Sequence, residues 1–279
     1  RPRFVVREWR TRSRIHSPKG CAALWYTPAG TRENGPPHHR ALEEDTMPRP
    51  DWYLDELAHA GPEHLDPAYI ATYDRKAGTD PADDVEALQR LGLGDTSVLV
   101  DFGAGTGTFT LAVAPHCRRV VAVDVSPAML AALDANVAAR GLTNVTVAHA
   151  GFLSYAHEGP SADFVYSRNA LHHLSDFWKG IALARIAAIL RSGGTLFLRD
   201  LVYDFAPTEA DAAMERWLSG AAANSAEGWT RAELAEHLRD EYSTYTWLLE
   251  PLLERTGFTI REKGVQGPGT YALYVCVKR

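Results

Sequence analysis

Between Asp80 and Leu198, short apolar runs alternate with helix-patterned segments, and turn residues bound almost every one. The runs are residues 97–102, 120–124, 144–148, 162–167 and 195–198. Each is too short for a typical helix and reads as a strand. The first two are apolar enough to suit strands buried on both faces. Asp80 can cap a helix with Pro81 as its first residue; Val85, Leu88 and Leu91 share a face, and Gly92 ends it. Phe109 opens a helix-like stretch to Ala114, and Ser126-Pro127 opens another through Met129, Leu133 and Val137 to Gly141. Ser175 is predicted to cap a helix through Ile181, Leu183, Ile186 and Leu190, closed by Gly193-Gly194. Strand–helix alternation at this pitch demands right-handed crossovers and a parallel sheet covered on both faces. Such sheets bind ligands beyond the carboxyl ends of their strands, so the residues after each run are the ones to read.

Composition narrows the partners. A chain of 279 residues, 46% hydrophobic, can bury a full α/β core. No uninterrupted apolar run approaches the ~20 residues that span a bilayer. A net charge of −6 and a pI of about 6.0 give no surplus for nucleic acid or an anionic membrane. Cys21, Cys117 and Cys276 lie far apart and odd in number, neither a disulfide framework nor a metal spacing. A reducing, cytoplasmic location and no bound metal are the expectations. Residues 1–46 carry nine Lys and Arg against five acids, whereas residues 47–279 carry 20 against 30. That start reads as a disordered leader ahead of Met47; its Arg and Ser content gives only a faint likeness to a targeting segment.

After the first run the chain reads Asp101-Phe102-Gly103-Ala104-Gly105-Thr106-Gly107. Glycines let the backbone turn sharply and approach a ligand with no Cβ in the way. A nicotinamide or flavin fingerprint wants a sixth-position glycine counted from Gly103, where Thr108 stands, and no Gly-Lys-Ser/Thr follows for a nucleotide-triphosphate loop. The second run ends in Asp124, a carboxylate placed as a ribose diol requires in dinucleotide folds.

Four segments in order carry a resemblance. Residues 98–107, 123–130, 166–174 (Tyr-Ser-Arg-Asn-Ala-Leu-His-His-Leu) and 190–196 (Leu-Arg-Ser-Gly-Gly-Thr-Leu) resemble the conserved segments of the class I S-adenosylmethionine-dependent methyltransferases of the small-molecule type. The resemblance implies a Rossmann-like, doubly wound, mostly parallel seven-stranded sheet with an antiparallel C-terminal strand and a helical lid insertion. It implies S-adenosylmethionine as cosubstrate. The glycine turn, with Gly103, Ala104, Gly105 and Gly107, would face the methionine part, with Asp101 near the amino group. Asp124, with Val125 and Met129 beside it, would hold the ribose. Ser167, Arg168 and Asn169 would meet the ammonium by a backbone carbonyl, and Tyr73 or Tyr69 the carboxylate. One departure stands out: many relatives place an Asp after the third strand against the adenine amine, and here Gly151-Phe152-Leu153 has no acid. Phe152 would then stack on or edge against adenine.

A sulfonium is an activated methyl donor, so a general base is optional. Candidates are His172, His173 and Asp200, while His237 reads as a surface residue. Thr208-x-x-Asp211 and Thr230-x-x-Glu233 read as capping boxes, and a further helix is predicted over Thr246–Arg255. The partition is then a leader (1–46), an N-terminal helical cap (47–80), a cofactor-binding core (81–203), a helical insertion or lid (204–257) and closing strands (258–279). The function implied is methyl transfer to a small organic acceptor by a chain that spans no membrane; a homodimer stays open, and nucleic acid is disfavoured. An NAD(P)-dependent oxidoreductase and a non-catalytic cofactor-binding module are the alternatives.

Overall fold

The first strand shows how the sheet is built. In β1 (Val98–Phe102), Val98, Val100 and Phe102 join one buried cluster and Leu99 the other, because alternate side chains leave opposite faces. Both faces are covered, which explains the unbroken apolar run. The computed structural model describes residues 50–59, 70, 80–225 and 227–279. Residues 1–46, Tyr69 and Tyr73, and most of the segment 47–80 lie outside the described residues.

From β1 the chain winds outward through β2 (Arg119–Asp124) to β3 (Val145–His149), then returns to β4 (Ala162–Arg168) on the other side of β1. β5 (Leu190–Tyr203), β8 (Tyr271–Lys278) and β7 (Phe258–Gln266) follow, giving the order β3-β2-β1-β4-β5-β8-β7. The pairs from β3 to β5 are parallel, and β8 runs antiparallel to both β5 and β7. A two-residue β6 (Thr244–Tyr245) pairs with the end of β5. This is the expected Rossmann-like sheet with one strand reversed.

Helices cover both faces. One cluster packs Leu88 of α1 (Ala82–Arg90) and Val113 of α2 (Thr108–Val113) on Leu99, Phe164 and Phe197. The other packs Leu183 and Ile186 of α4 (Asp176–Ile189) and Leu253 of α7 (Thr246–Arg255) on Val100, Val165 and Leu196. Asp80 Oδ1 accepts from Ala82 N at 2.9 Å, the predicted cap of α1. In α3 (Pro127–Ala139), Ser126 Oγ accepts from Met129 N at 3.1 Å, and Gly141 takes the left-handed conformation beyond the end.

Three local expectations change. Ser175 is extended at the start of α4, yet its side chain accepts no capping bond; Asp176 and Lys179 anchor this end instead, with Lys179 Nζ 3.2 Å from Asp176 Oδ1 and 2.5 Å from Tyr242 O. The Thr208–Asp211 box does not form. A 3-10 turn over Pro207–Glu209 precedes α5 (Ala210–Leu218), and Glu209 Oε2 takes the Ala206 N–H at 3.3 Å. β5 is far longer than residues 195–198, because Leu190 pairs with Ala162 ahead of a register shift and β8 and β6 extend the ladder at the far end. The Thr230–Glu233 box does form at the head of α6 (Arg231–Asp240). Among the described residues no helix is long and apolar enough to cross a membrane.

Candidate active site

A cleft of about 700 Å³, open to solvent, lies beyond the carboxyl ends of β1 to β4. The glycine turn forms one wall. Gly103 N and Ala104 N donate to Val123 O at 2.9 and 3.1 Å, which folds the turn across the end of β2. Gly103 has φ +72°, and a Cβ there would meet the Ala170 Cβ at 2.3 Å. Only glycine fits both the dihedral and the gap.

Asp124 sits at the centre. Its Oδ2 accepts from Gly105 N at 2.8 Å and its Oδ1 from Ser126 N at 2.9 Å, so the carboxylate braces both the turn and the head of α3. Asp124, Val125 and Met129 line the cleft, as do Gly103, Gly105, Gly151, Phe152, Asn169 and His173. Asn169 has φ +52°, uncommon for a residue with a side chain. Its buried Oδ1 has no hydrogen-bond partner among the described residues, and such an orphaned acceptor in a cleft wall fits a donor on a ligand.

Other expected residues stand behind the wall. Ala104 and Gly107 shape the turn; Gly107 (φ +92°) starts α2. Asp101 is buried, its Oδ2 accepting from Thr110 Oγ1 at 2.6 Å. Burial pushes its carboxyl up to about 7; the Thr110 bond opposes this and the Asp124 charge adds to it. Ser167 is fully buried, and Arg168 Nη1 turns away to Asp84 Oδ2 at 3.2 Å, where Arg199 and Tyr166 also converge. Neither side chain reaches the cleft. The sequence reading missed Glu56 and His59, which also line it. Both come from a segment that carries no motif.

Beyond Asn169 lies an acid–base cluster. His172 Nδ1 is 2.5 Å from Asp200 Oδ1, and its Nε2 is 3.0 Å from Glu241 Oε2. His237 Nδ1 also pairs with Glu241, and its ring packs against those of His172 and Trp217. His237 is therefore no surface residue; the cluster draws it inward. Burial favours neutral His172, but the two carboxylates outweigh it and raise the imidazolium pKa to about 9. Hydrogen bonds and charge from His172 hold Asp200 and Glu241 below the usual carboxylate range despite burial. The His173 ring lies 4.4 Å from that of His172 and reaches the cleft. His172, His173 and Glu241 bring one donor atom each within 4.8 Å of one another, a set that could also hold a metal ion. With both nitrogens of His172 matched to carboxylates, the arrangement reads first as a buried ion cluster behind the cleft wall. Among the described residues, none from 204–257 lines the cleft; the insertion meets the site from behind, through Glu241 and His237.

The methyltransferase-domain family profile matches residues 99–194, the span that supplies all of the cleft lining except Glu56 and His59. An uncharacterized methyltransferase of Anoxybacillus flavithermus is 30% identical over 164 residues, 59% of this chain and 70% of that protein. The chain belongs to the class I S-adenosylmethionine-dependent methyltransferase superfamily. The fold of this methyltransferase matches a SAM-dependent methyltransferase from Aquifex aeolicus at a TM-score of 0.52 and 19% identity, over 76% of this chain and 98% of that one. It also matches magnesium protoporphyrin IX methyltransferase from Synechocystis with bound SAM, at a TM-score of 0.55 and 14% identity, over 82% of this chain and all of that one.

Proposed function

We propose that the cleft binds S-adenosylmethionine and that the enzyme transfers its methyl group to a small organic acceptor. The observation that carries this is Asp124, braced at the end of β2 between the glycine turn and α3, with the orphaned Asn169 oxygen in the same wall. An acceptor-only carboxylate suits a ribose diol, and an unpartnered amide oxygen suits an ammonium. Bound there, the cofactor supplies a methyl group already activated on a sulfonium. The protein's work is to align the acceptor with it and exclude water. His173, on the cleft wall, is the candidate general base. His172, held as an imidazolium between Asp200 and Glu241, is a positioning residue behind it. The chain's acidic balance favours a small acceptor over nucleic acid. A cytoplasmic protein, as monomer or homodimer, accords with this reading.

Calorimetric titration with S-adenosylhomocysteine and with NAD tests the cofactor. The thioether ligand is expected to bind and NAD is not. Asp124→Ala is expected to weaken binding by about 10- to 100-fold, the loss of a charged hydrogen bond to the ligand. Tight NAD binding, or an unaltered affinity in that variant, would overturn the assignment. Methyl release over a panel of phenols, alcohols and amines then finds the acceptor.

A further inference from the structure

We infer that Glu56, from the segment ahead of the sheet, is the acceptor that reads the exocyclic amine of the cofactor's purine base. This rests on the cofactor reading above.

The loop after β3 carries no acid, and the structure shows what stands in the gap. A Cβ built on Gly151 would lie 2.4 Å from Glu56 Oε1, 2.5 Å from its Cδ and 2.6 Å from its Oε2. The Glu56 carboxylate thus fills the volume that any side chain at 151 would claim. Gly151 is not among the positive-φ residues, so the space, not the backbone, asks for glycine here. The carboxylate is fastened from behind: Leu153 N donates to Oε1 and Oε2 at 3.0 Å each, and Ser154 Oγ donates to Oε2 at 3.0 Å. The segment is held by its aromatics. The Tyr53 ring meets Trp178 edge-on at 5.0 Å, and the Trp52 ring stacks on Trp178 at 6.1 Å. Glu56 has reached 97 residues along the sequence to line the cleft beside Gly151 and Phe152.

The strand order says which part of the ligand meets it. The order runs β3-β2-β1-β4. With the ammonium at Asn169 after β4 and the ribose at Asp124 after β2, the base falls toward β3. There the wall offers Met129, Phe152 and the carboxylate of Glu56. A carboxylate only accepts hydrogen bonds. It matches the amine of adenine and repels the carbonyl that hypoxanthine carries at the same position. Sites built to bond a ligand N–H reject analogues that lack it far more strongly than apolar pockets reject a change of size.

The test compares S-adenosylhomocysteine with S-inosylhomocysteine, in which a carbonyl replaces the amine and the neighbouring N1 carries a proton, by calorimetry on the full chain. The wild-type protein is expected to prefer the adenosyl ligand by at least about 10-fold. Glu56→Gln keeps the shape but adds a donor, so the preference is expected to fall to within about threefold with the melting temperature little changed. Gly151→Asp alone is expected to lower affinity, because its side chain meets the Glu56 carboxylate. Combined with Glu56→Ala, the same Gly151→Asp is expected to restore the preference from the loop itself. Equal weakening of both ligands by Glu56→Gln would reduce Glu56 to packing and overturn the inference, as would a wild-type protein blind to the substitution or a double variant with no recovered preference. Failure of the wild-type protein to bind either ligand would instead sink the cofactor reading, and this one with it.

Discussion

Asp101 and Asp124 stand two ranks of the same site apart, and their chemistry differs because one is sealed and the other is braced. Asp101 is 2% exposed with one hydroxyl donor, Thr110. Its carboxyl titrates near 7 in the folded chain against 3.8 for the free group. The folded state then binds more protons than the unfolded state across that interval. Stability contributed by the protonated form is present at low pH and falls as pH rises from about 4 to 7. Asp101→Asn removes the titration, so the ligand-free variant is expected to gain on the wild type at pH 8 by up to a few kcal/mol and to lose that advantage at pH 5. Chemical denaturation at the two pH values checks it; parallel shifts at both would show that Asp101 is not buried as a titrating acid. Asp124 is the reverse case. The sequence places its carboxylate for a ribose diol. The structure gives it two backbone donors, Gly105 and Ser126. Asp124→Ala is therefore also expected to cost about 1–3 kcal/mol of stability, read in the same experiment.

At the scale of elements, the sequence was most legible where one physical signal acted alone. Short strand-like runs bounded by turn residues marked all five parallel strands of the core, and α7 spans Thr246–Arg255 as expected. Legibility failed where distant parts compete for the same group. Ser175 and Thr208 have the right chemistry to cap, but Ser175 accepts no capping bond, Lys179 at that end being drawn to the distant Tyr242 carbonyl, and the Glu209 carboxylate takes the Ala206 N–H where the Thr208 box was expected. Nothing near Gly151 announces that its missing side chain is replaced from Glu56. The His172 cluster is of the same kind. It joins the turn after β4 to β5 through Asp200 and to the end of α6 through Glu241 and His237, with His173 alongside. The His172 imidazolium titrates near 9 when folded against 6.5 when free. Its contribution is fully present below about pH 6.5 and is lost as pH climbs to about 9. The expected result is a wild-type melting temperature that declines across this range, and a smaller decline in Glu241→Gln, which already starts lower at pH 6.5. Matching declines in the two proteins would mean that the cluster does not tie the insertion to the core.

For the whole molecule, the sheet order puts a reversal of winding between β1 and β4, and the cleft opens there. Its walls come from four strand ends, the head of α3 and the segment at Glu56 and His59, so a ligand in it touches all of these parts at once. A ligand that binds only the folded state stabilises it by mass action, about 2.7 kcal/mol at a hundredfold excess over its dissociation constant. A domain of this size shifts by roughly 2–4 °C for each kcal/mol. Saturating S-adenosylhomocysteine is therefore expected to raise the melting temperature by about 5–10 °C, and NAD at equal concentration to leave it in place. Asp124→Ala at that same ligand concentration should show a far smaller rise while still unfolding in one cooperative transition. A shift given equally by NAD would move the cleft to the oxidoreductase class, because only shared parts of the two ligands could then be held. A shift in Asp124→Ala as large as in the wild type would place the ligand outside the cleft, since no other acid lines it at the end of β2 among the described residues.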